Sequence, residues 1–174
     1  MAQLKKMDQA VEVEDEEVAF LTGWQPMTGI TGKDVDESVR VNRLIGAVPG
    51  QCWFNARRVV QGLVGYADAS YVEGIAVLNG GQLLEHGWVC RPDGMVIDPT
   101  LPTAGGAYYP GLEFRGRPGI EAFLGTPEGR RCKRSPFYYA FGWGGRDSPG
   151  MRRAWEQSRD HLRALFPAAF EADV

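Results

Sequence analysis

The chain has 174 residues, of which 44% are hydrophobic and 24% charged, and its formal net charge is −3. From this length we expect a single domain without a second catalytic module. The net negative charge argues against a protein that coats nucleic acid with cations, so a nucleic-acid partner is not expected. Only three cysteines and two histidines are present, which leaves few ways to build a nucleophilic site or a metal site.

Residues 1–22 are polar and carry the acidic run Glu12, Glu14, Asp15, Glu16 and Glu17. Such a beginning does not resemble a signal peptide, and no apolar stretch approaches the ~20 residues that span a bilayer. Three cysteines without CxxC spacing make a poor disulfide framework. We therefore expect a cytoplasmic protein with reduced thiols and no membrane partner. Residues 23–174 form the expected domain, and residues 1–22 form an acidic arm or part of that domain. The sequence leaves the oligomeric state open.

The first predicted elements are two helices. One covers 34–45, has acidic residues in its first turn, and is ended by the Gly- and Pro-containing stretch 46–50. The other begins at Cys52, because apolar residues then recur at helical spacing as far as Leu63. Cys52 is the first residue of the buried face of this second helix.

Three predicted strands follow, and they cover 71–78, 83–91 and 95–99. They form an antiparallel meander with turns at Asn79-Gly80-Gly81 and Pro92-Asp93-Gly94. Residues 100–147 are rich in Gly, Pro and aromatic residues with weak periodicity. We expect long loops there, with short strands and a short helix near 120–124. A last helix is predicted to start near Ser148 and to end at Pro167.

Cys52 stands in the first turn of its predicted helix. There the helix dipole favours a thiolate, and free backbone N–H groups can hold an oxyanion. For a lone cysteine on an apolar face, a small core residue is the more ordinary interpretation. Here His86 and Asp98 follow on two neighbouring strands, and the three residues together favour a nucleophilic role for the thiol.

The relation between His86 and Asp98 depends on the register of their hairpin. If Arg91 pairs with Met95, His86 and Asp98 are diagonal neighbours on one face, where a carboxylate can orient the imidazole. A two-residue turn at Asp93-Gly94 would instead place them on opposite faces. Alone, an aspartate before a proline is more typical of a turn.

Three blocks of residues carry a resemblance to a known family. They are Cys52 at the start of a helix, His86-Gly-Trp-Val, and Val96-Ile-Asp98-Pro-Thr100. In this order they resemble the transglutaminase-like branch of the papain-like cysteine enzymes, over about residues 50–101. The resemblance implies an α+β fold in which N-terminal helices pack on an antiparallel β-sheet.

The resemblance also implies a Cys–His–Asp triad that works by acyl transfer through a thioester. Cys52 would be the nucleophile, His86 the general base and then acid, and Asp98 the carboxylate that orients the imidazole. The implied reaction is hydrolysis or transfer of an amide or ester acyl group, from a peptide, a protein or a small acyl substrate. The sequence has no coenzyme-binding signature, and no cofactor is expected.

Oxyanion stabilisation needs hydrogen-bond donors near the thiol. The backbone N–H of Cys52 is one expected donor. Papain-like enzymes use a side-chain donor as well, and Gln51 and Asn42 are both candidates for that role.

Two further candidates lie on the predicted strands. A two-residue turn at Gly80-Gly81 would place Glu73 on the face of His86, where it binds a substrate cation, assists His86, or simply pairs with an arginine. Trp88 lies two residues from His86 on the same face, and we expect it to pack over the site rather than contact substrate.

Two alternatives remain open. The first is a metal site that uses Cys52, His86, Cys90 and Cys132, but these residues lack the paired spacing of structural zinc sites, so no metal is expected. The second is a non-catalytic protein-binding module that retains the fold. It would bind a partner through the arginine- and aromatic-rich segment 130–146.

Overall fold

The computed structural model of the protein describes residues 32–145 and 147–170, and the predicted acidic arm at 1–22 lies outside them. Within these residues the α-helices are α1 (Val35–Ile45), α2 (Cys52–Gly62), α3 (Gly116–Gly125), α4 (Pro127–Arg131) and α5 (Pro149–Leu165). The strands are β1 (Ser70–Leu78), β2 (Leu83–Cys90), β3 (Val96–Ile97) and β4 (Gly106–Arg115). Short 3-10 turns cover Val64–Tyr66, Phe137–Phe141, Trp143–Gly145 and Pro167–Ala169.

The strands form an antiparallel sheet with the order β3-β2-β1-β4. Helix α2 packs against β2 and β1, and α5 packs against β4 and β1. Successive residues of a strand face opposite sides. Tyr71 and Ile75 of β1 therefore join the large core with the helices, whereas Val72 and Ala76 join a smaller cluster that contains Trp88. The predicted α+β fold with an antiparallel sheet is confirmed at this coarse level.

The two predicted N-terminal helices form where the sequence indicates. The side chain of Asp34 caps α1 by accepting a hydrogen bond from the Glu37 N–H at 2.9 Å. The connection between the helices turns at Gly50, which has a φ of 74°, and such a conformation favours glycine. Helix α2 then begins at Cys52, as predicted.

The turn between β1 and β2 lies at Asn79-Gly80-Gly81, as predicted, and has three residues. The N–H of Leu78 donates to the carbonyl of Gln82 at 2.9 Å, which leaves a loop of three residues, 79–81. Gly81 has a φ of 80°. A loop of three residues that ends in a left-handed glycine is a common hairpin connection. The two-residue turn at Gly80-Gly81, on which the placement of Glu73 depended, does not form.

This longer loop changes which residues of the hairpin share a face. Gly74 pairs with His86, and Glu73 pairs with Gly87. Because a shift of one residue moves a side chain to the other face of the sheet, the expectation that Glu73 lies on the face of His86 is wrong.

The hairpin of β2 and β3 has the predicted register. The N–H of Arg91 donates to the carbonyl of Met95 at 2.9 Å, and the paired strands continue from there. Strand β3 is shorter than predicted, because Asp98 leaves the ladder and donates its N–H to the hydroxyl of Ser38 in α1 at 2.9 Å. The predicted diagonal relation of His86 and Asp98 therefore holds.

The stretch 100–147 contains more regular structure than the sequence indicates. Strand β4 was not predicted, because Tyr108 and Tyr109 are buried on opposite faces and no polar–apolar alternation marks the strand. Pro110 and Gly111 form a bulge opposite Gly74, and in a sequence these residue types usually indicate a loop. The helix predicted near 120–124 is the second half of α3.

Helix α5 starts and ends as predicted. Ser148 caps it by accepting a hydrogen bond from the Met151 N–H, and Pro149 is its first residue. Met151 and Leu162 of this helix are buried, whereas Leu165 is 51% exposed. In the described part of the chain, none of the helices has the length and apolar character that a bilayer crossing requires.

Candidate active site

Cys52 is the first residue of α2, and its side chain is almost fully buried. The N–H groups in the first turn of a helix have no acceptor within the helix and carry the positive end of its dipole. Cys52 therefore lies at the end of the helix whose free N–H groups can hold an anion.

His86 lies in β2 and is also buried. Its Nε2 atom is 2.8 Å from Oδ2 of Asp98. Because an ionised carboxylate can only accept hydrogen bonds, Nε2 carries the proton. Nδ1 is then the ring nitrogen left for Cys52, which lies close enough to His86 to raise the pKa of the imidazole. The fold thus brings the three residues together in the order that a nucleophilic triad requires.

Both oxygens of the Asp98 carboxylate are held by hydrogen bonds. Oδ1 accepts from the N–H groups of Thr100 at 3.0 Å and Leu101 at 2.9 Å, as in an Asx turn. Oδ2 accepts from the hydroxyl of Tyr108 at 2.8 Å as well as from His86. Asp98 therefore combines the two roles between which the sequence left a choice, because it forms a turn and also orients the imidazole.

These contacts change the protonation of both partners. Burial lowers the pKa of His86, but hydrogen bonds with Asp98 and Cys52 and their negative charges outweigh burial and raise the pKa to about 9. Burial raises the pKa of Asp98, but the hydrogen bond and charge of His86 outweigh it and lower the pKa to about 2. At neutral pH the imidazole is therefore a cation beside a carboxylate, the form that stabilises a thiolate.

The two side-chain candidates for the oxyanion site are placed differently. Asn42 lies in α1, and its Nδ2 donates to the carbonyl of Pro99 at 2.7 Å. Asn42 therefore fastens the loop that follows Asp98. Gln51 is exposed beside Cys52 and makes no side-chain hydrogen bond that caps α2, so it stays a candidate donor next to the thiol.

Glu73 lies on the face of the sheet opposite His86 and is completely buried. Its carboxylate accepts hydrogen bonds from the N–H groups of Phe137 at 2.6 Å and Tyr138 at 2.8 Å, and from the hydroxyl of Tyr71. Burial raises the pKa of Glu73 against these hydrogen bonds. Glu73 therefore fastens the 3-10 turn at 137–141 to β1.

Trp88 packs behind the imidazole, as expected. Its ring lies 6.3 Å from the ring of His86 with an interplanar angle of 21°, and its edge meets the ring of Tyr108 at 5.2 Å. Only 1% of Trp88 is exposed. The indole therefore restricts the position of His86 from inside the protein.

Sequence reasoning missed three residues that contact Asp98. They are Ser38 in α1, Tyr108 in β4, and Lys33, whose Nζ lies 3.9 Å from Oδ2 of Asp98. Ser38 gave one usable signal, since it is a polar residue on the apolar face of a predicted helix. Tyr108 lay in a strand that was not predicted, and Lys33 precedes the first predicted helix without any periodic pattern.

Asn55 is a fourth missed residue, and it ties α2 to the loop of Asp98. Its side chain is fully buried and donates to Oγ1 of Thr100 at 3.0 Å and to the carbonyl of Val48 at 2.8 Å. Its position on the buried face one turn after Cys52 was a signal that the sequence contained.

The other two cysteines, Cys90 and Cys132, are also buried. Cys90 contacts the carbonyl of Arg91 through its sulfur at 3.6 Å, and burial raises the pKa of both Cys90 and Cys132. All three cysteines are free. Across residues 32–145 and 147–170, His, Cys, Asp and Glu side chains form no group of three that could hold a metal ion.

The arginine- and aromatic-rich segment divides into a buried and an exposed part. Phe137 and Tyr138 belong to the core. Tyr139 is half exposed and Trp143 is 85% exposed, and their rings are nearly parallel with centroids 6.5 Å apart. The charged side chains at 130–134 are exposed as well.

Comparison of the chain with protein-family models, curated proteins and solved structures finds no significant match.

Proposed function

We propose that the protein is a cysteine hydrolase or acyltransferase of the transglutaminase-like, papain-like type. The observation that carries this proposal is the 2.8 Å contact between His86 Nε2 and Asp98 Oδ2, with Cys52 close enough to the same imidazole to raise its pKa. The position of Cys52 at the start of α2 supports it further.

The first half of the proposed reaction is acylation. The thiolate of Cys52 attacks the carbonyl carbon of an amide or ester, and the resulting oxyanion is stabilised by the N–H groups at the start of α2. The imidazolium of His86 then gives its Nδ1 proton to the leaving amine or alcohol as the carbon–nitrogen or carbon–oxygen bond breaks. A thioester on Cys52 remains.

The second half is deacylation. Neutral His86 takes a proton from water or from an acceptor amine, whose oxygen or nitrogen attacks the thioester carbon. The carbon–sulfur bond breaks and the thiolate of Cys52 is restored beside the imidazolium. Asp98 accepts the Nε2 hydrogen bond throughout and holds the ring in the required tautomer. The candidate substrates are peptides, proteins and small acyl compounds.

The test is acyl transfer from activated ester and peptide-amide substrates, with intact-protein mass spectrometry to detect the thioester. We expect Cys52→Ser to lower the rate at least about a hundredfold. Cys132→Ser is the matched control, because it changes another buried thiol that has no histidine partner in the described residues. Full activity of Cys52→Ser would contradict the proposal.

A second candidate function is partner binding without catalysis. The exposed, parallel rings of Tyr139 and Trp143 favour it, because large exposed aromatic side chains are common in binding surfaces. An experiment can distinguish partner binding from acyl transfer. Partner binding alone requires Trp143 but not Cys52, and it produces no adduct with an electrophilic acyl substrate.

A further inference from the structure

Lys33 carries a buried ammonium group beside the proposed triad. Its backbone forms a parallel bridge with Val96 of β3, supported by hydrogen bonds between Asp34 N–H and the Val96 carbonyl at 3.0 Å and between Val96 N–H and the Gly32 carbonyl at 2.9 Å. Only 6% of the Lys33 side chain is exposed. The chain therefore fixes this lysine next to the strand that leads to Asp98.

The ammonium group is held by the loop that follows Asp98. Nζ donates to the carbonyls of Leu101 and of Ala104, the latter at 2.8 Å, and lies 3.9 Å from Oδ2 of Asp98. It also lies 5.8 Å from the centre of the Tyr108 ring. A buried cation is expensive unless it has a counter-charge, and in this site the counter-charge is the carboxylate that holds His86.

We propose that Lys33 is a positioning residue that offsets the negative charge of Asp98, so that His86 can release a proton as well as hold one. This inference rests on the proposed acyl-transfer function. With Lys33 present, the charges of Cys52, His86, Asp98 and Lys33 sum to zero when Cys52 is a thiol and His86 is neutral. They also sum to zero when Cys52 is a thiolate and His86 is an imidazolium. Without Lys33, the unbalanced charge of Asp98 holds His86 as a cation.

The two halves of the reaction therefore depend differently on Lys33. Acylation uses the imidazolium, which stays available when Lys33 is removed. Deacylation needs neutral His86 to take a proton from water, at a stage when Cys52 is acylated and no longer carries a thiolate. At that stage the imidazole still contacts the carboxylate of Asp98, and Lys33 lies beside the same carboxylate. These two charges then set the affinity of His86 for a proton.

Several titratable groups of the described residues lie around His86. Cys52 faces it from α2, Asp98 from the loop after β3, and the hydroxyl of Tyr108 reaches the same carboxylate oxygen from β4. Glu85 precedes it in β2 on the other face and accepts a hydrogen bond from the Tyr138 hydroxyl at 2.5 Å. Outside this set, Asp34 beside Lys33 pairs with Arg91 at 3.3 Å.

The kinetic test compares wild type with Lys33→Met and Lys33→Arg, using p-nitrophenyl acetate as the acyl donor. The burst reports acylation and the steady state reports deacylation. At about pH 7 we expect Lys33→Met to retain the burst rate within about threefold and to lower the steady-state rate about tenfold, and Lys33→Arg to restore much of that loss. An equal loss of the burst rate and the steady-state rate would indicate a general disturbance of the site structure and would overturn the inference. Unchanged burst and steady-state rates would overturn it as well.

A second measurement separates this inference from the proposed function. In Cys52→Ala, which has no thiolate, NMR titration of the His86 ring gives its protonation directly. We expect Lys33→Met in this background to move the midpoint upward by about one pH unit. An unchanged or lower midpoint overturns the role of Lys33 even where acyl transfer occurs. If Lys33→Met raises the midpoint but the protein with Cys52 intact forms no thioester, only the proposed function is contradicted. If Lys33→Met fails to fold, Lys33→Gln replaces it, because glutamine removes the charge beside Oδ2 but keeps a donor for the carbonyls of Leu101 and Ala104, and the same upward shift is expected.

Discussion

Gly87 and Trp53 pack so closely that a Cβ atom at position 87 would lie 3.0 Å from the Cα atom and the Cδ1 atom of Trp53. Each of these residues immediately follows a member of the candidate triad, His86 in β2 and Cys52 in α2. The absence of a side chain at Gly87 therefore sets the distance between the start of the helix and the strand. The distance between the thiol of Cys52 and the imidazole of His86 therefore depends on how closely the backbones of α2 and β2 approach each other.

Gly87→Ala is predicted to separate the thiol from the imidazole. The added methyl group meets backbone atoms of Trp53, which cannot move away as a flexible side chain would, so α2 must shift by several tenths of an ångström. We expect at least about a tenfold loss of kcat/KM and a modest loss of stability. Gly62→Ala is the control, since it lies at the end of the same helix with open space around it. Equal activity of the two variants would show that this contact does not position the site.

The His86–Asp98 pair predicts an alkaline limit to activity. The pKa of about 9 for His86 means that the imidazolium loses its proton as the pH rises through 9. Acylation then loses both its general acid and the cation that stabilises the thiolate. A profile of burst rate against pH is expected to fall with a midpoint near 9. A fall centred near 6.5, the ordinary value for histidine, would contradict the influence of Asp98 and Cys52.

The same pair contributes to stability in a defined pH range. Because the pKa of His86 is raised from 6.5 to about 9, its contribution is complete below 6.5 and is lost as the pH rises through 9. Because the pKa of Asp98 is lowered from 3.8 to about 2, its contribution is complete above 3.8 and is lost as the pH falls through 2. Urea unfolding at several pH values is expected to show this dependence in wild type. His86→Ala is expected to show a flatter alkaline side.

Asp98→Asn is predicted to affect both activity and stability. The amide no longer holds the imidazolium by charge, and the buried ammonium of Lys33 loses its nearest carboxylate. We expect a loss of about 3 kcal/mol in the free energy of unfolding, because removing one partner leaves the other charge buried. Adding Lys33→Met should recover part of this stability but not the activity. Additive losses in the double variant would show that the two residues are not coupled.

Glu73→Gln is predicted to change stability and not substrate affinity. One oxygen becomes an NH₂ group facing backbone N–H donors of Phe137 and Tyr138, which leaves buried groups without partners. The expected loss is about 1–3 kcal/mol, measured by denaturant unfolding. An increase of KM for cationic substrates with unchanged stability would support the substrate-binding role that the observed register contradicts.

The sequence predicted the parts of the site that depend on local chemistry. Acidic residues at the start of α1 and the apolar spacing that begins at Cys52 predicted the two helices, and the pairing of Arg91 with Met95 brings His86 beside Asp98. The parts that depend on tertiary packing carried no such signal. The turn at Asn79-Gly80-Gly81 was predicted, but its exact register was not, and the observed register places Glu73 on the face opposite His86.

Strand β4 is the largest element that the sequence did not indicate. It is buried on both faces and interrupted by Pro110 and Gly111, so neither periodicity nor composition marks it. Tyr108 and the partners of Lys33 were missed for the same reason, because their contacts with the site exist only after distant segments pack together.

The most direct test of the central claim is the pH dependence of Cys52 alkylation by iodoacetamide, followed by mass spectrometry in wild type and in His86→Ala. A thiolate stabilised by the imidazolium and by the start of α2 is predicted to react readily at about pH 6, where ordinary thiols react slowly. His86→Ala should lose most of this reactivity at about pH 6, whereas Cys90 and Cys132 should stay unmodified in the folded protein. Alkylation of Cys52 that is negligible at about pH 6 and identical in the two proteins would contradict a Cys52–His86–Asp98 triad.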